Sequence, residues 1–274
     1  MDRNAILAVK LLEEEIAQNG LTAATAWKAF AKLFLSCNIF EGKRTGWQPL
    51  HDVVVYRESN DFKIGVSGPN TVVQRAEGLS QYLAGELGIN RKNLCSEIGQ
   101  FWRHPQIVSL QPHNLVGNAF RSSLRKALQL FGDPGLTVEE EVGPRGEFPG
   151  YTFSSRSKDP RIDVLVRRGH LPVALISVRW RFRHDRVDVL DEAMSYVPAA
   201  RRLNPKARFY AFVGEFNPAR LDKILSNCPP AMPSGAIDAC VHFAPQLLWN
   251  GLKENGRTSN LKSLEWLIQE SFDW

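Results

Sequence analysis

Acidic and basic side chains are concentrated between Asp159 and Glu192. Asp163 stands near the start of an apolar run, IDVLV, that is typical of a buried strand. A second predicted strand, VALISVRWRF, follows after a short turn and alternates in character. Because a strand shows every second residue to one side, it is expected to present one polar row: Ser177, Arg179, Arg181 and Arg183. An acid and a row of cations on neighbouring strands can act together on a phosphate.

A predicted helix, HDRVDVLDEAMSYV, brings further acids to the same stretch. Asp185, Asp188 and Glu192 are spaced to share one face, with Asp185 better suited to cap the helix. Phosphodiester hydrolysis uses a divalent cation to polarise the phosphate and to lower the pKa of the attacking water. Mg²⁺ prefers hard oxygen ligands. We therefore expect Mg²⁺ at Asp163, Glu192 and the main-chain carbonyl of Val178, with Asp188 as a weaker alternative to Glu192.

The elements that position these groups alternate from residue 112 onward. A long helix, HNLVGNAFRSSLRKALQLFG, carries Arg121 and Arg125 off its apolar stripe, and LTVEEEV predicts the next strand. After the two strands and the helix above come a strand at ARFYAFVGEF, a helix at NPARLDKILSNC, a strand at AIDACVHFAP and a closing helix at LKSLEWLIQESF. This order predicts an α/β fold, with a mixed central sheet flanked by helices and a parallel crossover around the acidic helix.

The first part of the chain differs in its predicted secondary structure. Residues 1–110 carry mostly helical patterns with one small predicted hairpin, so we expect a helical accessory or DNA-recognition region there. Residues 111–274 would then form the core that carries the site.

Composition narrows the classes of function. The net charge is +5, and seven arginines fall between Arg161 and Arg186 against two acids, which favours a nucleic-acid partner. Four separated cysteines without a C-x-x-C pair favour a reduced, intracellular protein. No apolar run is long enough for a membrane span, and the N-terminus is not of the signal-peptide type. Phosphate-binding glycine motifs are absent, so we expect no nucleotide cofactor. The cysteines and the expected lack of a membrane span and of a signal peptide together favour a cytoplasmic protein.

The site pattern resembles the PD-(D/E)xK nuclease superfamily, and within it the type II restriction endonucleases. The matching residues are Pro160-Arg161-Ile162-Asp163 for the first acid and Ser177-Val178-Arg179 for the second half. Some of these enzymes have Ser in place of the second-strand acid and take the metal-binding acid from the following helix, as Ser177 and Glu192 would allow. The resemblance covers about half of the chain. It departs at Arg179, where the family has Lys, and an arginine stays protonated and cannot act as a general base.

The resemblance implies a Mg²⁺-dependent, sequence-specific endonuclease of a restriction-modification system that cuts double-stranded DNA. Its catalytic residues would be Asp163, Ser177, Arg179 and Glu192. Cutting both strands of a symmetric site implies a homodimer. The residues expected to contact DNA phosphates are arginines: Arg181, Arg183, Arg186, Arg121 and Arg125.

The sequence is also compatible with other interpretations besides the active endonuclease, which is the first hypothesis. Arg179 favours a non-catalytic DNA-binding protein on a degenerate nuclease fold, or an endonuclease whose activity is impaired. A partner protein whose basic face binds acidic surfaces is the third hypothesis. His113-Asn114 suggests an HNH nuclease only weakly, because no suitably spaced metal-binding His or Cys accompanies it.

Overall fold

Six strands form one mixed sheet and follow one another across it in chain order. They belong to a computed structural model that describes residues 20–38, 80–94, 112–148, 161–180, 188–215, 218–229, 237–247 and 261–274. The first three strands pair antiparallel, and the third to the sixth pair parallel. The protein therefore has the α/β architecture with a mixed sheet that the element order predicts.

The elements have the following bounds. The strands are β1 (Leu136–Val142), β2 (Ile162–Arg168), β3 (Leu171–Arg179), β4 (Arg208–Val213), β5 (Ala239–His242) and β6 (Leu261–Ser263). The helices are α1 (Trp27–Asn38), α2 (Pro112–Phe131), α3 (Pro144–Glu147), α4 (Asp188–Leu203), α5 (Pro218–Leu225) and α6 (Leu264–Glu270). Residues 80–87 and 91–94 are also helical, and short 3₁₀ turns span Pro245–Leu247 and Ser271–Asp273.

Both faces of the sheet are buried at its centre, as β4 illustrates. Phe209, Ala211 and Val213 belong to one hydrophobic cluster, whereas Tyr210 and Phe212 belong to the other. A strand that is apolar at every position can bury both of its faces between helices. This is why ARFYAFV reads as a continuous hydrophobic run in the sequence.

One layer of helices includes α1, α2, α6 and the helical residues 80–87 and 91–94. Phe30 of α1 packs edge-on against Phe120 of α2, with ring centroids 5.5 Å apart, and against Phe212 of β4 at 5.4 Å. Phe120 stacks on Phe212 at 4.8 Å. The aromatic group ties the described N-terminal helix to the centre of the sheet, and Leu267 of α6 is buried in the same cluster.

The other layer consists of α4 and α5. Val189, Tyr196 and Val197 of α4 are buried with Leu221 and Ile224 of α5 against the second face of the sheet. In the sheet between the two layers, β3 and β4 are parallel neighbours, and α4 connects them along the chain. This confirms the predicted crossover. Cys228 and Cys240 are free thiols that are buried in the same hydrophobic cluster.

The predicted short turn between β2 and β3 is a two-residue turn. Arg168 pairs with Leu171, so the turn consists of Gly169 and His170 alone. Gly169 has φ +61°, a conformation that glycine adopts without strain. At the other end, β3 stops at Arg179, and Trp180 lies in a bend rather than in the strand. The predicted strand was thus too long at its end.

An arginine clamps the turn end of this hairpin to two other segments. Arg168 donates from Nη2 to Oδ2 of Asp133 at 2.6 Å and from Nε to the main-chain oxygen of Trp274 at 2.6 Å. Asp133 also accepts a hydrogen bond from the N–H of Gly135 at 2.7 Å through Oδ1. We call this group the Arg168 bridge.

The segment LKSLEWLIQESF is not one helix, contrary to the prediction. Its first three residues form β6, which pairs with β5, and α6 begins at Leu264. Ser263 caps α6 by accepting a hydrogen bond from the N–H of Trp266. The single turn α3 follows β1 directly. In the described part of the chain, no helix is both long and apolar enough to cross a membrane.

Candidate functional site

Asp163 and Arg179 meet at one edge of the sheet. Asp163 is the second residue of β2 and Arg179 is the last of β3, and the two strands run antiparallel. Arg179 lies in register with Val213 of β4, and Val213 with His242 of β5. The two site residues therefore lie at the carboxyl edge of the parallel strands, which is where open α/β sheets commonly bind ligands.

The Asp163 carboxylate accepts hydrogen bonds from two donors. Oδ2 accepts from the main-chain N–H of Val178 at 2.8 Å and forms an ion pair with Nη1 of Arg179. The side chain of Asp163 is 13% exposed and that of Arg179 is 24% exposed. The carboxylate thus lies in a partly desolvated position in which charged hydrogen bonds are stronger than on an open surface.

The same nitrogen of Arg179 also contacts the main chain. Nη1 donates to the carbonyl oxygen of Val178 at 2.9 Å. Two of the three oxygens predicted to bind Mg²⁺, Oδ2 of Asp163 and the Val178 carbonyl, therefore converge on one cationic nitrogen. We call this group the Arg179 bridge.

Ser177 lies beside Asp163 on the neighbouring strand. Val164 pairs with Ile176, so the register continued by one residue sets Asp163 opposite Ser177, with both side chains on the same face. Ser177 is fully buried, and its Oγ has no hydrogen-bond partner among the described residues. A buried hydroxyl next to a carboxylate offers a further oxygen to a cation or to a water molecule at this edge.

The acidic helix covers this face of the sheet. α4 packs on β3, and its Val189 and Tyr196 belong to the same hydrophobic cluster as Leu175 and Ala211. Glu192 belongs to α4, but its side chain and that of Asp188 lie outside the described part of the structure. The structure thus assigns the helix to the face that bears Asp163.

The arginines predicted to follow Arg179 are not described. Arg181, Arg183 and Arg186, together with Asp185, fall in residues 181–187, outside the described ranges. Within those ranges, no three His, Cys, Asp or Glu side chains form a group that could hold a metal ion.

Arg121 and Arg125 contact a glutamate of β1. Nε of Arg125 lies 2.8 Å from Oε1 of Glu140, and Nε of Arg121 lies 3.3 Å from Oε2. The hydroxyl of Ser122 donates to the same Oε2 at 2.7 Å. Glu140 therefore joins β1 to α2 through a network of charged hydrogen bonds.

The two neighbouring glutamates are also ion-paired. Glu139 lies 2.8 Å from Nε of Arg167 in the adjacent strand, and Glu141 pairs with Arg121. Glu141 has φ +56°, a left-handed backbone conformation that is uncommon for a residue with a side chain. It is also the one residue of β1 between Leu136 and Val142 without a partner in the β2 register.

Two buried polar residues at the same edge were not singled out from the sequence. His242 ends β5, and Glu215 lies two residues beyond β4. Burial lowers the pKa of His242 to about 3, and its Nδ1 accepts a hydrogen bond from the N–H of Ala244 at 3.0 Å. The imidazole is therefore neutral at physiological pH. A polar residue at the end of an apolar run was the available signal.

Comparisons with known proteins add little to this geometry. No family model and no curated protein matches the chain. A solved structure described as "Restriction endonuclease PspGI-substrate DNA complex" aligns with 97% of this chain and 92% of that chain, at 13% sequence identity and a TM-score of 0.39. A likeness at that TM-score supports no inference about this chain.

Proposed function

We propose that the protein is a Mg²⁺-dependent, sequence-specific endonuclease for double-stranded DNA, of the type II restriction class. The observation that carries the proposal is the placement of Asp163, Ser177 and Arg179 together at the carboxyl edge of a mixed sheet. The helix that contains Glu192 packs on the same strand. These are the groups in the pattern that resembles the PD-(D/E)xK nucleases.

Each group has a proposed role. Asp163, Glu192 and the Val178 carbonyl would hold Mg²⁺, whose contribution is to polarise the phosphate and to acidify a water molecule. Ser177 would hold that water through its buried hydroxyl. Arg179 stays protonated at any physiological pH and would stabilise the negative charge that develops on the phosphate.

The proposed DNA contacts follow from charge. Arg181, Arg183 and Arg186 come directly after β3 in the sequence, so they would contact phosphates next to the site. Arg121 and Arg125 would have to exchange Glu140 for a phosphate before they could contribute. A symmetric target would be cut by a homodimer, in which each protomer supplies one site.

A second candidate function is supported by a specific observation. The Arg179 guanidinium already contacts two of the proposed metal ligands, Asp163 and the Val178 carbonyl. A chain that keeps this arrangement when DNA binds would bind DNA through its basic residues without cutting it.

Digestion of plasmid and of linear DNA of known sequence, with Mg²⁺ or with EDTA, separates the two functions. Discrete fragments that require Mg²⁺ support the endonuclease, and mapping their ends gives the recognition sequence. Binding that weakens steeply with salt, without cleavage, supports the non-catalytic protein. Absence of DNA binding at low salt would contradict both.

A further inference from the structure

The Arg179 bridge brings a permanent positive charge to the oxygens of the proposed metal site. Nη1 is hydrogen-bonded to the Val178 carbonyl at 2.9 Å and is ion-paired with Oδ2 of Asp163. A cation bound along the same direction from both oxygens would lie about 2.1 Å from each of them. It would overlap Nη1, and two positive charges at such a distance repel one another.

We propose that Arg179 and a divalent cation exclude one another at Asp163, so that the guanidinium keeps the site closed to metal until it turns away. This inference rests on the proposed function, because it takes Asp163 as a metal ligand. Arginine suits the task better than lysine, since its charge cannot be removed by a shift in pKa. The protein without DNA then binds divalent cations weakly at this site.

DNA is the partner that would release the site. A phosphodiester offers oxygens that a guanidinium can bind in place of a carboxylate, and the Arg179 side chain is 24% exposed. Once Arg179 contacts phosphate, Oδ2 of Asp163 and the Val178 carbonyl become available to the cation. Binding of DNA and of metal would then strengthen each other, because coupling between two ligands is reciprocal.

The Arg168 bridge provides a matched control. Arg168 also joins an aspartate to a main-chain oxygen, but it uses two nitrogens, Nη2 for Asp133 and Nε for Trp274. The two oxygens therefore do not converge on one nitrogen. Removing Arg168 frees a carboxylate of the same type without creating a paired oxygen site.

The test measures binding of Mn²⁺ to the full chain without DNA, by the electron paramagnetic resonance signal of free Mn²⁺. We expect Arg179→Met to tighten the dissociation constant about tenfold or more, the scale of one charged hydrogen bond. Arg168→Met should leave it unchanged. Adding Asp163→Asn to Arg179→Met should remove the gain, and a DNA duplex should tighten Mn²⁺ binding by the wild type.

Two results would overturn the inference. One is a folded Arg179→Met protein, judged by circular dichroism, that binds Mn²⁺ no more tightly than the wild type. The other is a gain that survives Asp163→Asn. If Arg179→Met does not fold, Arg179→Gln keeps a polar partner for Asp163 and is judged by the same two criteria. Cleavage is not the readout, so a wild type that never cuts DNA contradicts the proposed function while these titrations still decide the competition.

Discussion

Two arginine bridges hold opposite ends of the β2–β3 hairpin, and they differ in how their partners are arranged. At the open end, a single nitrogen of Arg179 contacts both Asp163 and the Val178 carbonyl. At the turn end, Arg168 contacts Asp133 and Trp274 through separate nitrogens. Arg179 is 24% exposed and Arg168 is 43% exposed. The two aspartate–arginine pairs therefore differ in geometry and in exposure to solvent.

The difference lies in what the aspartate would do without its arginine. Asp133 is 17% exposed and keeps a second bond, from the N–H of Gly135, which holds it in the turn before β1. Asp163 keeps the hydrogen bond from the N–H of Val178 and lies beside the buried hydroxyl of Ser177. The first arrangement clamps segments of the fold together, whereas the second lies at the oxygens of the proposed metal site.

The largest expected effect is on catalysis. Asp163→Asn should lower the rate of DNA cleavage by more than about a hundredfold, since even groups that only orient metal ligands contribute about 10–100-fold. Asp133→Asn, the same change at the other bridge, should leave the rate unchanged. Initial rates of plasmid nicking at saturating Mg²⁺ measure both. Equal losses in the two variants would show that Asp163 has no special role.

Removing each arginine in the absence of metal should separate the two bridges by stability. Arg179→Met leaves a partly buried carboxylate short of a charged partner, which should cost about 1.5–3 kcal/mol. Arg168→Met breaks a pair that water screens and should cost about 0–1 kcal/mol. Urea denaturation with EDTA gives both values. A larger loss at Arg168 would reverse the comparison.

The glycines next to the two bridges should respond differently to a methyl group. The N–H of Gly214 donates to the carbonyl of Arg179 at 2.9 Å, and a Cβ there would lie 2.8 Å from the main-chain oxygen of Trp180. Gly214→Ala should therefore cost about 1–3 kcal/mol through backbone shifts.

At the other bridge, a Cβ on Gly135 would meet the Arg168 guanidinium and the Asp133 carboxylate, each at 3.2 Å. Both side chains can move, so Gly135→Ala should cost less than about 1 kcal/mol. Thermal unfolding of the two variants checks the difference. Comparable losses would mean that the backbone is equally rigid at both ends.

The smallest effect concerns pH. The hydrogen bond from Arg168, followed by the one from Gly135, lowers the pKa of Asp133. A lowered folded pKa contributes stability above the unfolded value of about 3.9, and this contribution is lost as the pH falls through the folded pKa. As the pH falls below about 4, the free energy of unfolding should therefore decrease slightly less in Arg168→Met than in the wild type. Identical acid limbs would mean that the Arg168 bridge does not form in solution.

Much of the sheet could be predicted because its signals are local. The strand LTVEEEV has the predicted bounds, and the parallel pairing of β3 with β4 follows from the helix between them. Leu261–Ser263 could not be recognised in this way. Three residues show no periodicity, and they form a strand because β5 offers a free edge, which is a contact between distant parts of the chain.

The chemistry of the site was only partly accessible from the sequence. Alternation along β3 places Ser177 and Arg179 on the face of Asp163, but it does not specify which oxygens a long guanidinium reaches. The partners of Arg121 and Arg125 could not be predicted either. Their positions off the apolar stripe of α2 predict contact with solvent or with a phosphate. Glu140 lies on a separate element and becomes their partner only when β1 folds against α2.

Glu141 has a consequence for the behaviour of the protein at high concentration. In the described part of the chain, β1 forms an edge of the sheet, and an unpaired edge can recruit strands from other molecules. The left-handed backbone of Glu141 interrupts the regular ladder near the end of this strand, and three consecutive acids line it. Charge and an irregular backbone both oppose the addition of a foreign strand. Replacing the three glutamates with β-branched apolar residues would therefore be expected to promote aggregation, with a smaller effect on the site.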